Sequence, residues 1–353
     1  MKCKKNLKWL THLCALVCLT LATVPALCEG DARPREERNL SGLVEQNGRV
    51  MGEITGLNGE GKHGISILVD AALPANFTDE QRAVITTEPV SFADSAKLMA
   101  AMEATGAVNV RIDPEGINRA DWGRAQSDPK HATMTADEAR ENAKRVAAEF
   151  CKNAGAGDIV ITSALRPEDE AKNHTIDAAP EAREAMTARI LREWFVADRD
   201  YTDVRFDYVL RGLRTVGGLL EKTEDDDDDA WLSVTGQLLV GDAGEVRSAS
   251  IVLIPCEMSA EPYTGELIPW REALERVAQR FGVTAYDDVR RDDRGREIPM
   301  MHFVITGIEP GYETQDGKTY TPAWLFTIDW MRVEDGALWG DPNTYAIDAR
   351  AEK

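Results

Sequence analysis

The hydrophobic and polar positions of this chain change period several times, and each change predicts a secondary-structure element. Apolar and polar residues alternate over Ile65–Val69 and again over Tyr320–Asp329, which is the two-residue period of a strand with one buried face. After Thr135, and again from Leu267 to Phe281, apolar residues recur at three- and four-residue steps, which is the period of an amphipathic helix. The pattern therefore predicts helices packed on antiparallel strands.

The clearest predicted helix follows Thr135. Thr135 and Glu138 form a capping box, in which a hydroxyl and a carboxylate satisfy two backbone donors at a helix start. Gly155 is placed to end the helix in a left-handed conformation. Six residues then share one face of the helix, which makes that face part of a core: Ala139, Ala143, Val146, Ala147, Phe150 and Cys151.

Other segments complete the predicted order. Two further helices are expected at Ser91–Thr105 and Pro180–Val196, and the apolar run Ile251–Ile254 predicts a central strand. One helix followed by three or four antiparallel strands occurs twice, which indicates an α+β fold rather than alternating α/β. The remaining strands and turns are predicted at Arg49–Thr55, Gly64–Ala72, Asp158–Ser163, Val204–Val209, Trp231–Val240, Gly241–Gly244, Glu245–Pro255, Ile298–Ile308, Gly311–Lys318 and Tyr345–Ile347.

The first residues have the form of an export signal. Met1–His12 carries four lysines and no acid, and Leu13–Leu27 is almost wholly apolar. The apolar run of about 15 residues is shorter than the roughly 20 that a membrane-spanning helix needs. Cleavage after Ala26 or after Cys28 would release the protein, whereas a lipid on Cys28 or an uncleaved signal would hold it in the cell envelope. The sequence thus predicts a protein that leaves the cytoplasm.

Charge narrows the choice of partners. The chain has 41 basic and 61 acidic residues, a net charge of −20. Without residues 1–28, which include four lysines, the balance is 37 to 61, or −24. Such a surface repels nucleic-acid phosphates and anionic lipid headgroups. We therefore expect a protein or peptide partner, with neither nucleic acid nor an anionic membrane surface bound.

Cysteine usage excludes a disulfide-rich scaffold. Four of the six cysteines lie in or beside the signal, so that Cys151 and Cys256 are the two in the body of the chain. In an oxidising compartment these two could form a disulfide. The alternative is that they are small apolar residues inside the protein.

The order of elements resembles exported bacterial proteins built from PepSY-like units, among them uncharacterised proteins and lipoproteins of Gram-positive bacteria and accessory regulators of envelope sensor kinases. The closing hairpin is the most characteristic part, because its Tyr-x-Pro-Ala-Trp run, within Tyr320–Phe326, is similar to the one that fills the sheet in those proteins. The other matching segments are Ala136–Ala154, Phe206–Gly212, Trp231–Val240, Asp242–Gly244, Ile268–Gly282 and Ile305–Ile308.

This resemblance implies a fold and a role. The fold would be α+β, with two PepSY-like units, 133–262 and 263–353, after the signal 1–28 and a smaller N-terminal α/β segment, 29–132. The role would be non-enzymatic binding or regulation outside the cytoplasmic membrane. The related regulators are usually membrane-anchored, in contrast to the release that the signal of this chain favours.

Motifs for chemistry are not found in the sequence. The acidic runs Asp225–Asp229 and Asp287–Asp293 lack the alternating acids and closing glutamate of a calcium loop. No Cys-x-x-Cys pair, no Gly-x-Ser-x-Gly elbow and no phosphate loop occurs. The sequence therefore predicts no catalytic, cofactor-binding or metal-binding residue. The histidines after the signal stand apart from one another in the sequence: His63, His131, His174 and His302.

Two tryptophans are the candidates for a binding surface. Trp330 and Trp339 follow the clean alternation of the closing hairpin, and exposed aromatic residues are typical of binding sites. The alternative is a secreted hydrolase whose carboxylate pair is invisible in the sequence, and the resemblance also allows a protease inhibitor. A cleft with two close acids of raised pKa would favour the hydrolase. An exposed sheet edge or an apolar groove would favour binding by strand addition.

Overall fold

A computed structural model describes residues 40–57, 65–90, 95–106, 108–112, 119–123, 134–175, 180–195, 200–217, 235–251, 254–283, 289–291, 297–299, 301–333, 335–338, 340 and 342–351. The predicted signal and the carboxylates of both acidic runs lie outside these ranges. None of the helices in the described ranges is long and apolar enough to span a membrane.

Short helices and a large number of strands make up the described chain. The helices are α1 Ser95–Ala104, α2 Ala136–Ala154, α3 Pro167–Asn173, α4 Pro180–Glu193 and α5 Trp270–Val283. The strands are β1 Val44–Gln46, β2 Arg49–Leu57, β3 Ile65–Ala72, β4 Ala83–Val90, β5 Val108–Ile112, β6 Arg119–Gly123, β7 Ile159–Leu165, β8 Tyr201–Leu210, β9 Leu213–Gly217, β10 Thr235–Gly241, β11 Val246–Ser250, β12 Ile254–Pro262, β13 Val289–Arg291, β14 Glu297–Pro299, β15 Met301–Thr314, β16 Thr319–Arg332 and β17 Asn343–Asp348.

One mixed sheet of 15 strands dominates the fold, with the order β1-β2-β3-β15-β9-β8-β10-β11-β6-β5 and with β7, β16, β17, β4 and β12 branching from it. The predicted fold of two PepSY-like helix-on-sheet units with a small N-terminal α/β segment is therefore wrong. Parallel pairings explain the difference, because β15 lies between β3 and β9 and pairs with both in parallel. Parallel partners are distant in sequence, so the hydrophobic period of a single segment does not reveal them.

Helix α2 follows its prediction. The Thr135 hydroxyl accepts from the Glu138 backbone N–H at 3.3 Å, and a Glu138 carboxylate oxygen accepts from the Thr135 N–H at 2.7 Å. Gly155 ends the helix with φ 84°, a conformation that costs glycine little. The buried face of α2 packs against Phe206 of β8 and Leu238 of β10, and these residues belong to one hydrophobic cluster.

Helix α5 covers a second hydrophobic cluster on the same face of the sheet. Its Leu274 packs with Ile67, Trp324 and Phe326, and the Trp324 indole N–H donates to the Ile268 carbonyl oxygen at 2.9 Å. Leu210 of β8 lies opposite Leu213 of β9, and Thr215 of β9 lies beside Tyr312 of β15. These four side chains therefore point to the same face of the sheet. Both helices therefore pack on one side of a continuous sheet.

Two predicted segments end differently in the structure. The expected central strand around Ile251–Ile254 is divided, because β11 ends at Ser250 and β12 begins at Ile254. The expected turn Gly311–Lys318 is shorter, because β15 continues through Gly311 to Thr314. A side chain at position 311 would lie 2.3 Å from the Leu325 side chain and 2.8 Å from the Arg214 carbonyl oxygen. This glycine is thus explained by close strand packing.

Candidate functional site

Strand β12 is the most exposed long edge among the strands whose side chains are described. It pairs antiparallel with β4, from Ile254↔Val90 to Pro262↔Ala83, and no other described strand pairs with it. Of its nine residues, Ile254 is the buried one. Pro255 and Pro262 lack a backbone N–H, so the open part of the edge is residues 256–261.

The two faces of β12 differ in character. Ala260 packs toward the cluster that contains Tyr312 and Tyr320, whereas Cys256, Ser259 and Glu261 are exposed. A bulge between Glu257 and Ser259 inserts Met258 as an additional residue. Met258 is 63% exposed, the highest value for a large apolar side chain in the described ranges. A flexible thioether of this kind adapts to varied partner surfaces.

Arg211 holds β12 against the body of the protein. It occupies the turn between β8 and β9 with φ 49°, and its guanidinium nitrogens lie 2.6 and 3.0 Å from the two Glu257 carboxylate oxygens. The same side chain donates to the Glu80 carbonyl oxygen at 3.0 Å. The hydrogen bonds from Arg211 lower the pKa of Glu257. The edge is therefore pre-formed, and the charge of Glu257 is balanced.

Two other glutamates lie on the exposed face of the β4–β12 pair. Glu88 is opposite Cys256, and Glu261 is opposite Val84. Both glutamates are exposed. Because positions 84 and 88 are four residues apart on β4, the two carboxylates are separated by about 13 Å along the strands. The exposed face is thus acidic at both ends, with Met258 and Ser259 between them.

The two cysteines of the body are free thiols in the structure, so the disulfide considered from the sequence is not formed. Cys151 lies in the core beneath α2, where burial raises the pKa of its thiol to about 12. Cys256 is exposed on β12. The second sequence alternative, a cysteine acting as a small apolar residue inside the protein, describes Cys151.

Of the two tryptophans predicted to form a binding surface, Trp330 lies within the described residues. Trp330 is half-buried, and its ring centroid lies 4.2 Å from that of Phe303. It packs against the hydrophobic cluster beneath α5. Trp330 therefore contributes to the core, and Trp339 lies outside the described residues.

A carboxylate pair does occur, on the face of the sheet opposite α2 and α5. Arg214 places Nε 2.6 Å from Asp207 and Nη1 3.0 Å from Glu309. Burial raises the pKa of Asp207, and the Arg214 guanidinium opposes this rise. Because a guanidinium lies between the two carboxylates and the Asp207 side chain is 2% exposed, the arrangement is that of a structural ion-pair network. A pair for general acid and base catalysis would have both carboxyl groups open to a substrate, with no guanidinium between them.

The described residues contain no group of three or more His, Cys, Asp or Glu side chains that could hold a metal ion. A shallow cavity of about 250 Å³ lies at the start of α5. On its wall, Glu272 and Arg276 pair with each other at 2.9 Å, so that their charges are already satisfied.

Comparisons with known proteins give no family. No protein-family model matches the chain, and no curated protein sequence matches it either. One similar solved structure is that of an uncharacterised protein from Eubacterium rectale ATCC 33656. It is 12% identical, the match covers 81% of this chain and 90% of that one, and the TM-score is 0.40. A likeness this low says nothing about what the chain binds.

The sequence contained a signal for the β12 edge that the hydrophobic pattern obscured. Pro255 and Pro262 stand at the two ends of the strand, and proline within a strand is confined to edges, strand starts and bulges. The apolar run Ile251–Ile254 instead suggested a central strand.

Proposed function

We propose that the protein is a non-catalytic binding protein that acts outside the cytoplasmic membrane and captures an extended segment of a partner along β12. The extracytoplasmic location is supported by the signal-like N-terminal sequence. The observation that carries the binding role is a nine-residue strand with β4 on one side, an unpaired edge in the described structure on the other, and mostly exposed side chains.

Strand addition uses what this edge offers. Backbone N–H and C=O groups that point away from β4 can pair with an extended peptide, and side chains next to the edge select its sequence. The anchor from Arg211 to Glu257 keeps the edge in place before binding. Since little of the chain needs to be ordered on binding, less conformational entropy is lost.

A second edge is less suited to this role. Strand β7 pairs with β8 and with no other described strand, and Val160 is its one exposed side chain. Peptide side chains laid beside β7 would therefore contact fewer exposed groups than beside β12. The preference for β12 depends on this difference in exposure.

The test is a selection of random eight-residue peptides, displayed on phage, against the full-length chain. For the peptides selected, hydrogen exchange of the complex is expected to show new protection of those amides within 256–261 that point away from β4. Each peptide is then remade with N-methyl groups on either of its two alternating sets of amides. Strand addition requires one set to abolish binding and the other to preserve it, because one set alone faces β12. Protection elsewhere on the chain, or equal effects of the two sets, would overturn the proposal.

A further inference from the structure

We infer that the segment captured along β12 is basic, with two lysine or arginine residues four positions apart and an apolar residue midway between them. This inference rests on the proposed function. It names the partner by its charge and spacing, and both follow from the side chains of the β4–β12 pair.

The exposed face of the β4–β12 pair is negatively charged. Glu88 and Glu261 both point to solvent, whereas Glu257 is balanced by Arg211 at 2.6 Å. Two carboxylates on the exposed face are thus available to a ligand. The chain as a whole carries a net charge of −20, which draws a cationic segment toward the protein and repels an acidic one.

The same charges argue against a second copy of this chain as the occupant. An antiparallel pair of β12 with β12 of another copy would place Glu261 of both copies on adjacent strands of one sheet face, with Glu88 of each copy one strand further out. Like charges on adjacent strands destabilise a sheet. Acidic edge strands prevent self-association in this way, while a basic segment is attracted by the charges that exclude another copy.

The spacing of the two glutamates matches the spacing of side chains on one face of an extended ligand. Side chains at positions i, i+2 and i+4 of a strand lie on one face, and positions i and i+4 are about 13 Å apart. This equals the separation along the strands of Glu88 and Glu261, which follows from their pairing opposite Cys256 and Val84. Glu261 lies on β12, next to the added strand, whereas Glu88 lies on β4, about 10 Å from the added strand. A lysine side chain extended over Cys256 reaches toward Glu88 across this distance. Position i+2 of the ligand then lies over Met258 and Ser259, where the 63% exposed thioether can pack on an apolar side chain.

Two synthetic peptides with the same composition test the inference. Both are eight residues long, rich in threonine and valine, and carry two lysines. In the first peptide the lysines occupy positions 3 and 7, and in the second they occupy positions 3 and 6, so that the lysines of the second point to opposite faces. Each peptide is titrated by fluorescence anisotropy at low salt.

We expect the first peptide to bind about two- to five-fold more tightly than the second. The second peptide keeps one lysine on the exposed face and so loses one of the two exposed ion pairs, each of which contributes a factor of about two to five. The preference should disappear in the double variant Glu88→Gln/Glu261→Gln. It should persist in the control Glu53→Gln, which removes an exposed carboxylate on β2, several strands away along β3, β15, β16 and β4. The preference should also decline as added salt screens the charges.

The outcomes separate the two proposals. Equal affinities, with both peptides protecting the amides at 256–261, would overturn the basic spacing and leave strand addition in place. A preference that survives the double variant would also overturn the spacing argument, because the carboxylates would not be its source. Binding without protection of these amides would overturn strand addition and this inference together.

Discussion

Arg214 and Asp207 face each other across the β8–β9 hairpin, with Nε 2.6 Å from the nearer carboxylate oxygen and with 6% and 2% of their side chains exposed. Arg214 also donates to Glu309 on β15 at 3.0 Å and to the hydroxyl of Thr344 on β17. One guanidinium thus links four strands on the face of the sheet opposite α2 and α5.

Replacing Arg214 by methionine should strongly destabilise the protein. The change leaves the Asp207 carboxylate buried without its cation, and breaking a buried pair in this way costs about 3 to 5 kcal/mol. Urea unfolding of wild type and Arg214→Met measures the loss. The double variant Arg214→Met/Asp207→Leu should recover most of it, because no charge is then left unpaired. A single variant that loses less than about 1 kcal/mol, the scale of an exposed pair, would contradict this account.

The turn after β16 should contribute to stability above pH 4 and lose that contribution in acid. Hydrogen bonds from Arg332 and from the Ala337 backbone lower the pKa of Asp335 to about 2. An aspartate in an unfolded chain has a pKa of about 3.9. Because the folded value is the lower one, protonation between pH 4 and pH 2 favours unfolding of the turn.

Carboxyl carbon chemical shifts followed by NMR through an acid titration would measure the Asp335 pKa directly. The variant Arg332→Met removes the hydrogen bond from the arginine side chain to Asp335. We expect the titration midpoint of Asp335 in this variant to rise toward the pKa of an unperturbed aspartate. An unchanged midpoint in Arg332→Met would show that the arginine is not the cause of the shift.

The two cysteines of the body should differ greatly in reactivity. Burial raises the pKa of Cys151 to about 12 and covers its sulfur, whereas Cys256 is exposed. The thiolate is the reactive form, so iodoacetamide at pH 8 should label Cys256 rapidly and Cys151 hardly at all. Peptide mass spectrometry distinguishes the two sites, and both should react in 6 M guanidinium chloride. Equal labelling in the folded protein would contradict the position of Cys151.

Thr135→Ala should weaken α2 at its start. The variant removes the hydroxyl that accepts from the Glu138 N–H, and loss of such a cap costs about 1 kcal/mol. The matched control Thr135→Ser keeps the hydroxyl, and its stability in urea should lie within a few tenths of a kcal/mol of wild type. Similar losses in the two variants would show that the methyl group, rather than the cap, matters at this position.

Local chemistry explains why parts of the fold followed from the sequence. The capping box at Thr135, the left-handed Gly155 and the alternation over Tyr320–Asp329 each depend on residues close together in the chain. Short-range signals of this kind determine where a helix begins and which strand residues face the core. The same patterns could not place Ala83–Val90, because that strand is held by β12 and β16 from far along the chain.

The candidate site also depends on contacts between segments that are distant in the sequence. Exposed Glu88 and Glu261 are ordinary acidic residues in the sequence, and the register of β4 against β12 brings them to one face. Trp330 was a candidate for an exposed aromatic, and Phe303 across the β15–β16 pair covers one side of it. The spacing of residues along the chain predicts neither the shared face of the two glutamates nor the contact between the two aromatic rings.

The sequence by itself determined the signal-like N-terminus, the acidic charge, the face and ends of α2 and the alternation of the closing hairpin, because these depend on composition or on neighbours within a few residues. Tertiary structure alone decided that β15 pairs in parallel with both β3 and β9, that one sheet replaces two units, and that β12 remains an edge. Strand partners are chosen by complementarity between segments distant in sequence, and a one-residue change of register reverses which side chains face the core.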